Sequence, residues 1–172
     1  MALVQSALVM IFPALVIVAG LKDLTSYTIP NWISLALLAA FFPAALAVGM
    51  PLETIGLCAA VGAGALMAGI VMFALGWIGG GDAKLFAAAA LWIGWPAFLP
   101  FVLITAVMGG TLAVGLLTLR SAQVAPFVPA RPRWLLRLAS RGESVPYGVA
   151  IAAGALAQFA ASPIGVAVGR LF

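Results

Sequence analysis

Long apolar segments follow one another along this chain, and short breaks rich in proline, glycine or charge separate them. A helix needs about 20 apolar residues to cross the hydrocarbon core of a bilayer. Six segments approach this length, so the pattern predicts six transmembrane helices. We place them at about residues 3–21, 32–48, 54–75, 82–95, 97–119 and 147–169. The first lacks a basic start and a cleavage site, which indicates a span and not a signal peptide.

The composition supports a membrane protein. Of the 172 residues, 66% are hydrophobic and only 7% are charged, whereas a water-soluble domain carries about 25% charged residues. A surface that faces lipid does not need those charges. We therefore expect residues 1–172 to form a single all-α transmembrane domain in contact with the lipid bilayer.

Lysine and arginine predict how the spans are oriented, because cytoplasmic loops carry an excess of these residues. The loops after the first, third and fifth spans hold seven of the eight, and only Arg170 lies on the other side. The seven are Lys22, Lys84, Arg120, Arg131, Arg133, Arg137 and Arg141. This asymmetry predicts that the three loops are cytoplasmic, that both termini lie outside, and that the chain is a multi-pass protein of the cell (inner) membrane.

The one long polar stretch, residues 120–146, lies before the last span. Within it, Arg133, Arg137 and Arg141 recur every four residues, while the apolar residues between them fall on another helical face. We expect a short amphipathic helix on the cytoplasmic leaflet, with its arginines attracted to anionic lipid.

The chain has only four acidic residues. Glu53 follows a proline and is expected to help start the third helix, and Glu143 lies among the arginines of the long loop. Asp23 and Asp82 instead lie where apolar spans end or begin, and the predicted orientation puts both at the cytoplasmic face. Ionisable groups at membrane depth are costly, so we interpret this pair as a functional site and not as two helix caps.

Several other kinds of site are excluded by the residue inventory. The chain has no histidine and one cysteine, Cys58, so a catalytic triad with histidine, an internal disulfide and a zinc cluster are not expected. No basic patch interleaved with aromatic residues predicts nucleic-acid binding. We therefore expect no metal, no cofactor and no nucleic-acid partner.

A pair of carboxylates can hydrolyse a peptide bond without any of those groups. Two carboxylates a few ångströms apart do not both ionise easily, so they share a proton. The charged member takes a proton from water while the protonated member donates a hydrogen bond to the carbonyl under attack.

Three glycines precede the second aspartate, and they suit this chemistry. A substrate must be extended and must approach the enzyme backbone closely. Gly79, Gly80 and Gly81 lack a Cβ and tolerate unusual backbone angles, so we expect an irregular backbone here that helps position the substrate.

The residues around both aspartates, and those that open the last apolar segment, resemble a known family. "GGGDAKLFAA" resembles the G-x-G-D motif of the prepilin peptidases, with the Lys-Leu that commonly follows it. "KDLTSYTIPNWIS" is similar to the family's other aspartate motif, which ends in an Ile-Pro-Asn or Ile-Pro-Asp turn. "VPYGVAIAAG" resembles the Pro-aromatic-Gly opening of the family's last span. The three motifs occur in the family's order and cover nearly the whole chain.

The resemblance implies that Asp23 and Asp82 form the catalytic pair. It implies that Gly79 and Gly81 are the motif glycines, with Gly80 at the variable position, and that the chain cuts the short basic leader from type IV prepilins or pseudopilins on the cytoplasmic side. The substrate would be a largely helical apolar segment.

Ile29, Pro30 and Asn31 form a turn that sets the second helix and supports the site. Lys84 lies beside Asp82, where it either favours the ionised carboxylate or anchors a helix end, and we favour anchoring.

The chain departs from the larger members of that family. Those members carry an additional cytoplasmic part, often with paired CxxC motifs, and also N-methylate the cleaved prepilin. We expect peptidase activity only, and the size resembles that of the short members that serve Flp/Tad-type pili.

Two alternative functions remain open from the sequence. An archaeal-type preflagellin peptidase fits the same motifs. A small proton- or cation-coupled transporter could also use paired acids, although a relay is expected to place them near the bilayer midplane, often in two repeated halves. The substrate protein, the oligomeric state and the protonated member of the pair are left undetermined by the sequence.

Overall fold

The structure, a computed structural model, describes residues 2–121, 123–124, 129, 132–140 and 142–169. These residues form eight helices and no β-strand, which confirms the predicted all-α class. In chain order the helices are α1 (Ala2–Ser26), α2 (Asn31–Ala47), α3 (Leu52–Ala74), α4 (Gly80–Ile93), α5 (Phe98–Leu119), α6 (Arg133–Ala139), α7 (Tyr147–Phe159) and α8 (Pro163–Gly169).

Three of these helices are long and apolar enough to cross a membrane: residues Val4–Ser26 of α1, and all of α3 and α5. The helices α7 and α8 together would make a fourth span, with a bend of about 40° between them. The helix α2 has 17 residues and α4 has 14, fewer than the roughly 20 that a straight span needs. The chain is thus a helical protein with three or four candidate spans, and six spans with both termini outside stays a prediction.

The helix α1 continues further than its hydropathy predicts. The polar residues after Leu21 suggested a loop, yet the helix runs on to Ser26. The hydroxyl of Thr25 donates to the carbonyl of Leu21 at 2.7 Å, and that of Ser26 donates to the carbonyl of Lys22 at 2.6 Å. Hydroxyl groups that donate hydrogen bonds to carbonyls of the preceding turn do not end a helix. The polar residues after Leu21 therefore belong to α1 and do not mark a break.

The start of α3 and the helix in the long loop agree with expectation. Glu53 lies in the first turn of α3, and α6 is a short helix within the predicted amphipathic stretch. In α6 the side chain of Arg137 is exposed and that of Leu138 is buried. Arg131, Arg141, Arg170 and the side chain of Arg133 lie outside the described residues, and the position of α6 at a lipid surface stays a prediction.

The core lies around α4, the most buried helix. Nine of its fourteen residues are buried, and α1, α2, α3 and α7 all pack against it. Trp92 is fully buried near its C-terminal end, stacks on Phe12 with ring centroids 5.0 Å apart, and meets Phe41 edge-on at 5.7 Å. Its indole N–H donates to the carbonyl of Leu37 at 2.8 Å, which satisfies a polar group that burial would otherwise penalise. This packing holds α4 firmly and therefore fixes where its first turn lies.

Candidate active site

Asp23 lies within α1, in its last turns, and not in the loop where the sequence placed it. It is a buried charged residue, 6% exposed. One carboxyl oxygen accepts the backbone N–H of Gly148, in the first turn of α7, at 2.7 Å. A distant part of the chain therefore holds this carboxyl group in one orientation.

Gly148 has no room for a side chain. A Cβ at this position would lie 2.8 Å from Cδ1 of Ile29, 2.9 Å from the carboxyl oxygen Oδ2 of Asp23 and 3.0 Å from its Cβ. The first two distances are shorter than real Cβ contacts and the third is at their lower limit. A side chain here would displace the Asp23 carboxyl group, so glycine lets the α7 backbone approach it closely. The sequence prediction assigned no role to Gly148, although the "PYG" triplet was a signal that could have found it.

Asp82 lies in the first turn of α4, three residues after the Gly79 that caps the helix. Its carboxyl group turns back and accepts the backbone N–H of Gly79, which is the geometry of a capping box. The side chain is half-buried, and its Oδ1 atom is buried with no hydrogen-bond partner among the described residues. One oxygen thus belongs to the helix cap, while the other is left without a protein donor.

The irregular backbone expected at the three glycines is present at one of them: Gly79 lies outside the helix in an extended conformation, with φ −72° and ψ 149°. Gly80 and Gly81 are the first residues of α4, and none of the three has a positive φ angle. Their small size is what the structure uses. A Cβ on Gly81 would lie 3.2 Å from the Cβ of Ile29, and one on Gly79 would lie 2.9 Å from an Asp82 carboxyl oxygen. Glycine here allows the start of α4 to pack against the turn that follows α1.

The structure brings the two aspartates to one cavity of about 260 Å³. It is lined by Asp23, Tyr27, Thr28, Ile29, Gly79, Gly80, Gly81 and Asp82. The two carboxyl groups are close enough for electrostatic repulsion between them. A cavity of this size has room for water and for an extended backbone. The predicted residues Asp23, Ile29, Asp82 and the three glycines are therefore brought together.

The other predicted residues lie beside this cavity and not in its lining. Pro30 immediately precedes α2, and Asn31 is its first residue, which agrees with the predicted turn. The Lys84 ammonium donates to the Oδ1 atom of Asn31 at 2.9 Å. Lys84 thus bridges the starts of α2 and α4, and its anchoring of a helix end at the membrane surface stays a prediction.

Tyr27 and Thr28 are site residues that the sequence analysis missed. Tyr27 has a φ of 54°, uncommon for a residue other than glycine, and its N–H donates to the carbonyl of Asp23 at 2.9 Å. Burial raises the pKa of its hydroxyl, and the positive charge of Arg120 opposes that shift. The net direction is upward, so Tyr27 stays neutral at physiological pH. Both residues lie within the quoted "KDLTSYTIPNWIS" motif, which was the signal that could have found them.

Arg120 ties the long loop to the end of α5 beside this site. Its guanidinium donates to the carbonyls of Leu138, Glu143 and Ser144 at 2.8, 2.8 and 3.1 Å. Residues 143–146 lead directly into α7, where Gly148 contacts Asp23. The planar guanidinium group of arginine has several N–H donors, so it can hydrogen-bond to three carbonyl groups at once.

The site has no group of three or more His, Cys, Asp or Glu that could hold a metal ion, as far as the described residues extend. What its side chains can do is acid–base chemistry on a water molecule and a carbonyl group.

One comparison with known proteins gives a match. Residues 10–114, more than half of the chain, match the model of the type IV leader peptidase family. The matched segment contains both aspartates and the glycines and ends within α5, so Gly148 lies beyond it. Among curated proteins and among solved structures, no match to this chain was found.

Proposed function

The chain belongs to the type IV leader peptidase family, and from that premise we propose that it is a membrane aspartic endopeptidase whose catalytic residues are Asp23 and Asp82. Its substrates are type IV prepilins or pseudopilins of the Flp-like kind. It removes their short basic leader at the cytoplasmic face of the inner membrane, without N-methylating the product. The observation that carries the proposal is that two acids, far apart in sequence, line one small cavity.

The mechanism uses one water molecule between the two carboxyl groups. The ionised aspartate accepts a proton from the water, whose oxygen forms a bond to the carbonyl carbon of the substrate. The protonated aspartate donates a hydrogen bond to the carbonyl oxygen and then a proton as the tetrahedral intermediate forms. The intermediate collapses when the C–N bond breaks and the nitrogen takes the proton held by the first aspartate. As the carbonyl reforms, one hydroxyl of the intermediate returns its proton to the second aspartate. The products are a free leader carboxylate and a new amino terminus.

The contacts of the two aspartates support this division of work. Asp23 uses one oxygen for the Gly148 N–H, and Asp82 uses one for the Gly79 N–H. A backbone N–H therefore orients each carboxyl group, and the group does not have to reorient during the reaction. Each carboxyl group also has a second oxygen that these contacts do not use. The remaining oxygen of Asp82, Oδ1, is buried without a protein partner, so it lacks a hydrogen bond that a water molecule or the substrate would supply.

A cleavage assay in liposomes tests the proposal. The substrate is a prepilin with a short basic leader, and the enzymes are wild type, Asp23→Asn and Asp82→Asn. Each amide variant keeps its shape but cannot exchange a proton, so cleavage should fall by about 10²–10⁴-fold. Glu53→Gln, at the start of α3, is the matched acidic control and should cleave at the wild-type rate. Cleavage by either aspartate variant at the control rate would remove the proposed mechanism.

The pH dependence tests the same mechanism independently. One carboxyl group must be protonated and the other ionised, so the rate should rise and then fall with pH, in a bell whose two limbs belong to the pair. A strong metal chelator should leave the rate unchanged. Loss of cleavage on chelation, restored by a divalent metal, would point to a metal-dependent peptidase instead.

A further inference from the structure

A second and larger cavity of about 570 Å³ lies between α2, α3 and α4. None of the residues that line it also lines the aspartate cavity. The helices α2 and α3 each pack against α4 but make little contact with each other, so they leave an open channel over α4. We call this channel the three-helix groove.

The groove is lined by small residues of α3 and α4 and by larger apolar residues that flank it. The small residues are Ala59, Gly62 and Ala63 of α3 and Ala87 and Ala88 of α4. The larger residues include Leu35, Leu38, Phe42 and Leu66, which are all at least 40% exposed. On each helix the lining positions recur at intervals of three and four, so one continuous face of each helix contributes. Small residues let another helix backbone approach closely within a membrane, so this shape suits a helix.

The polar residues of the groove lie towards one end. They are Asn31 and Ser34, in the first turn of α2, and Lys84, near the start of α4. Lys84 follows Asp82 by two residues, and Asn31 follows Ile29 of the aspartate cavity by two. The polar end of the groove therefore adjoins the aspartate cavity, and the apolar remainder leads away from it.

We propose that the three-helix groove binds the apolar helix of the substrate that follows the cleaved bond. The inference rests on the proposed function. When the apolar helix of the substrate lies in the groove, the substrate residues that precede this helix reach the cavity lined by Asp23 and Asp82, where the peptide bond is cut. The lining of α2 extends from Asn31 to Phe42, and the eleven steps of 1.5 Å between these two residues span about 16 Å. The groove thus accommodates about three turns of substrate helix.

The charges along this path fit a leader-bearing substrate in one orientation. Asp23 and Asp82 line the aspartate cavity, where the positive charge of Arg120 also acts on Tyr27. The described residues that line the groove include Lys84 and no acid, so the groove repels a basic leader and accepts an apolar helix. A lipid chain fits the apolar part of the groove but does not account for its polar end beside the aspartates.

A bulky residue in the groove tests the proposal. Ala63 of α3 is exposed and lines the groove, so Ala63→Trp fills it without disturbing the core. Ala68 is an exposed alanine of the same helix that does not line it, and Ala68→Trp is the matched control. Each enzyme is assayed on a full-length prepilin in liposomes and on a short peptide that ends just after the cleaved bond.

For Ala63→Trp we expect the KM for the full-length prepilin to rise about tenfold or more, because overpacking a contact surface is strongly unfavourable. The KM for the short peptide should change much less, and Ala68→Trp should behave as wild type on both. Equal behaviour of the two tryptophan variants overturns the groove assignment and leaves the peptidase proposal intact. If the wild type cuts neither substrate, the proposed function fails and the groove assignment falls with it.

Photo-crosslinking identifies the occupant directly. A benzophenone attached at Ala63→Cys, in a Cys58→Ala background, should crosslink to the apolar segment of the prepilin, whereas one at Ala68→Cys should not. Crosslinks at position 63 only to lipid, or only to a second copy of the enzyme, would contradict the proposal.

Discussion

The two ends of α4 show two different uses of the same helix. Its last turn contains Trp92, fully buried, stacked on one aromatic ring, edge-on to another and hydrogen-bonded. Its first turn contains Asp82, half-buried beside a cavity of about 260 Å³, with one oxygen that has no partner among the described residues. Ten residues at 1.5 Å each separate them, about 15 Å. The packed end supplies rigidity, and the open end can then hold an acid in place without enclosing it.

This comparison predicts that damage at the two ends has different consequences. Changes at the packed end should reduce stability and spare the chemistry of the molecules that remain folded. Changes at the open end should reduce cleavage and spare stability. The following variants test this separation, in order of decreasing expected effect.

Trp92→Ala should have the largest effect, on stability. Removing a fully buried tryptophan costs about 3–5 kcal/mol of unfolding free energy, which corresponds to a fall in Tm on the order of 10 °C. Thermal unfolding in detergent measures the loss, and cleavage per folded molecule at low temperature should stay near the wild-type value. Trp77→Ala, at an exposed tryptophan before α4, is the control and should change Tm little. The separation would be lost if Trp92→Ala were fully stable but inactive.

Gly148→Ala should come next, and its effect should be on cleavage. The added methyl group would collide with Ile29 and Asp23, and a displacement of about 1 Å at a reacting group can cost on the order of 100-fold in rate. We expect kcat to fall by about 10- to 100-fold, measured on the full-length prepilin.

Gly110→Ala is the matched control for that variant, because a Cβ on Gly110 meets nothing within 4 Å. It should retain wild-type kcat and Tm. A Gly148→Ala enzyme with normal kcat would show that the α7 backbone does not position Asp23.

Arg120→Lys should have the smallest effect of the three. Lysine keeps the charge but cannot reproduce the guanidinium contacts with three separate carbonyls. The loop into α7 would loosen, and we expect cleavage to fall by roughly 3- to 10-fold, about the free energy of one or two hydrogen bonds. Arg137→Lys, at an exposed arginine of α6, should be neutral. If both lysine variants lost activity equally, loss of arginine in general, and not this anchoring, would be the cause.

The site residues that could be predicted from the sequence lie within short contiguous motifs. The glycines before Asp82, the Ile-Pro-Asn turn and the two aspartates were found because each lies within one short motif. The end of α1 was placed too early because polar residues were taken as a break. The irregular backbone expected at Gly79–Gly81 is limited to Gly79, while Gly80 and Gly81 are helical and provide space.

The sequence by itself determined that the chain is an apolar all-α protein, that its 172 residues hold no histidine and no pair of cysteines, and that its aspartates adjoin apolar segments. These are properties of composition and local order, which a chain carries before it folds. Only the tertiary structure decided that Gly148 donates to Asp23, that Tyr27 lines the cavity, and that three helices leave a groove beside it. These features depend on contacts between residues far apart in sequence, which are fixed by how the helices pack and not by the pattern within any one of them.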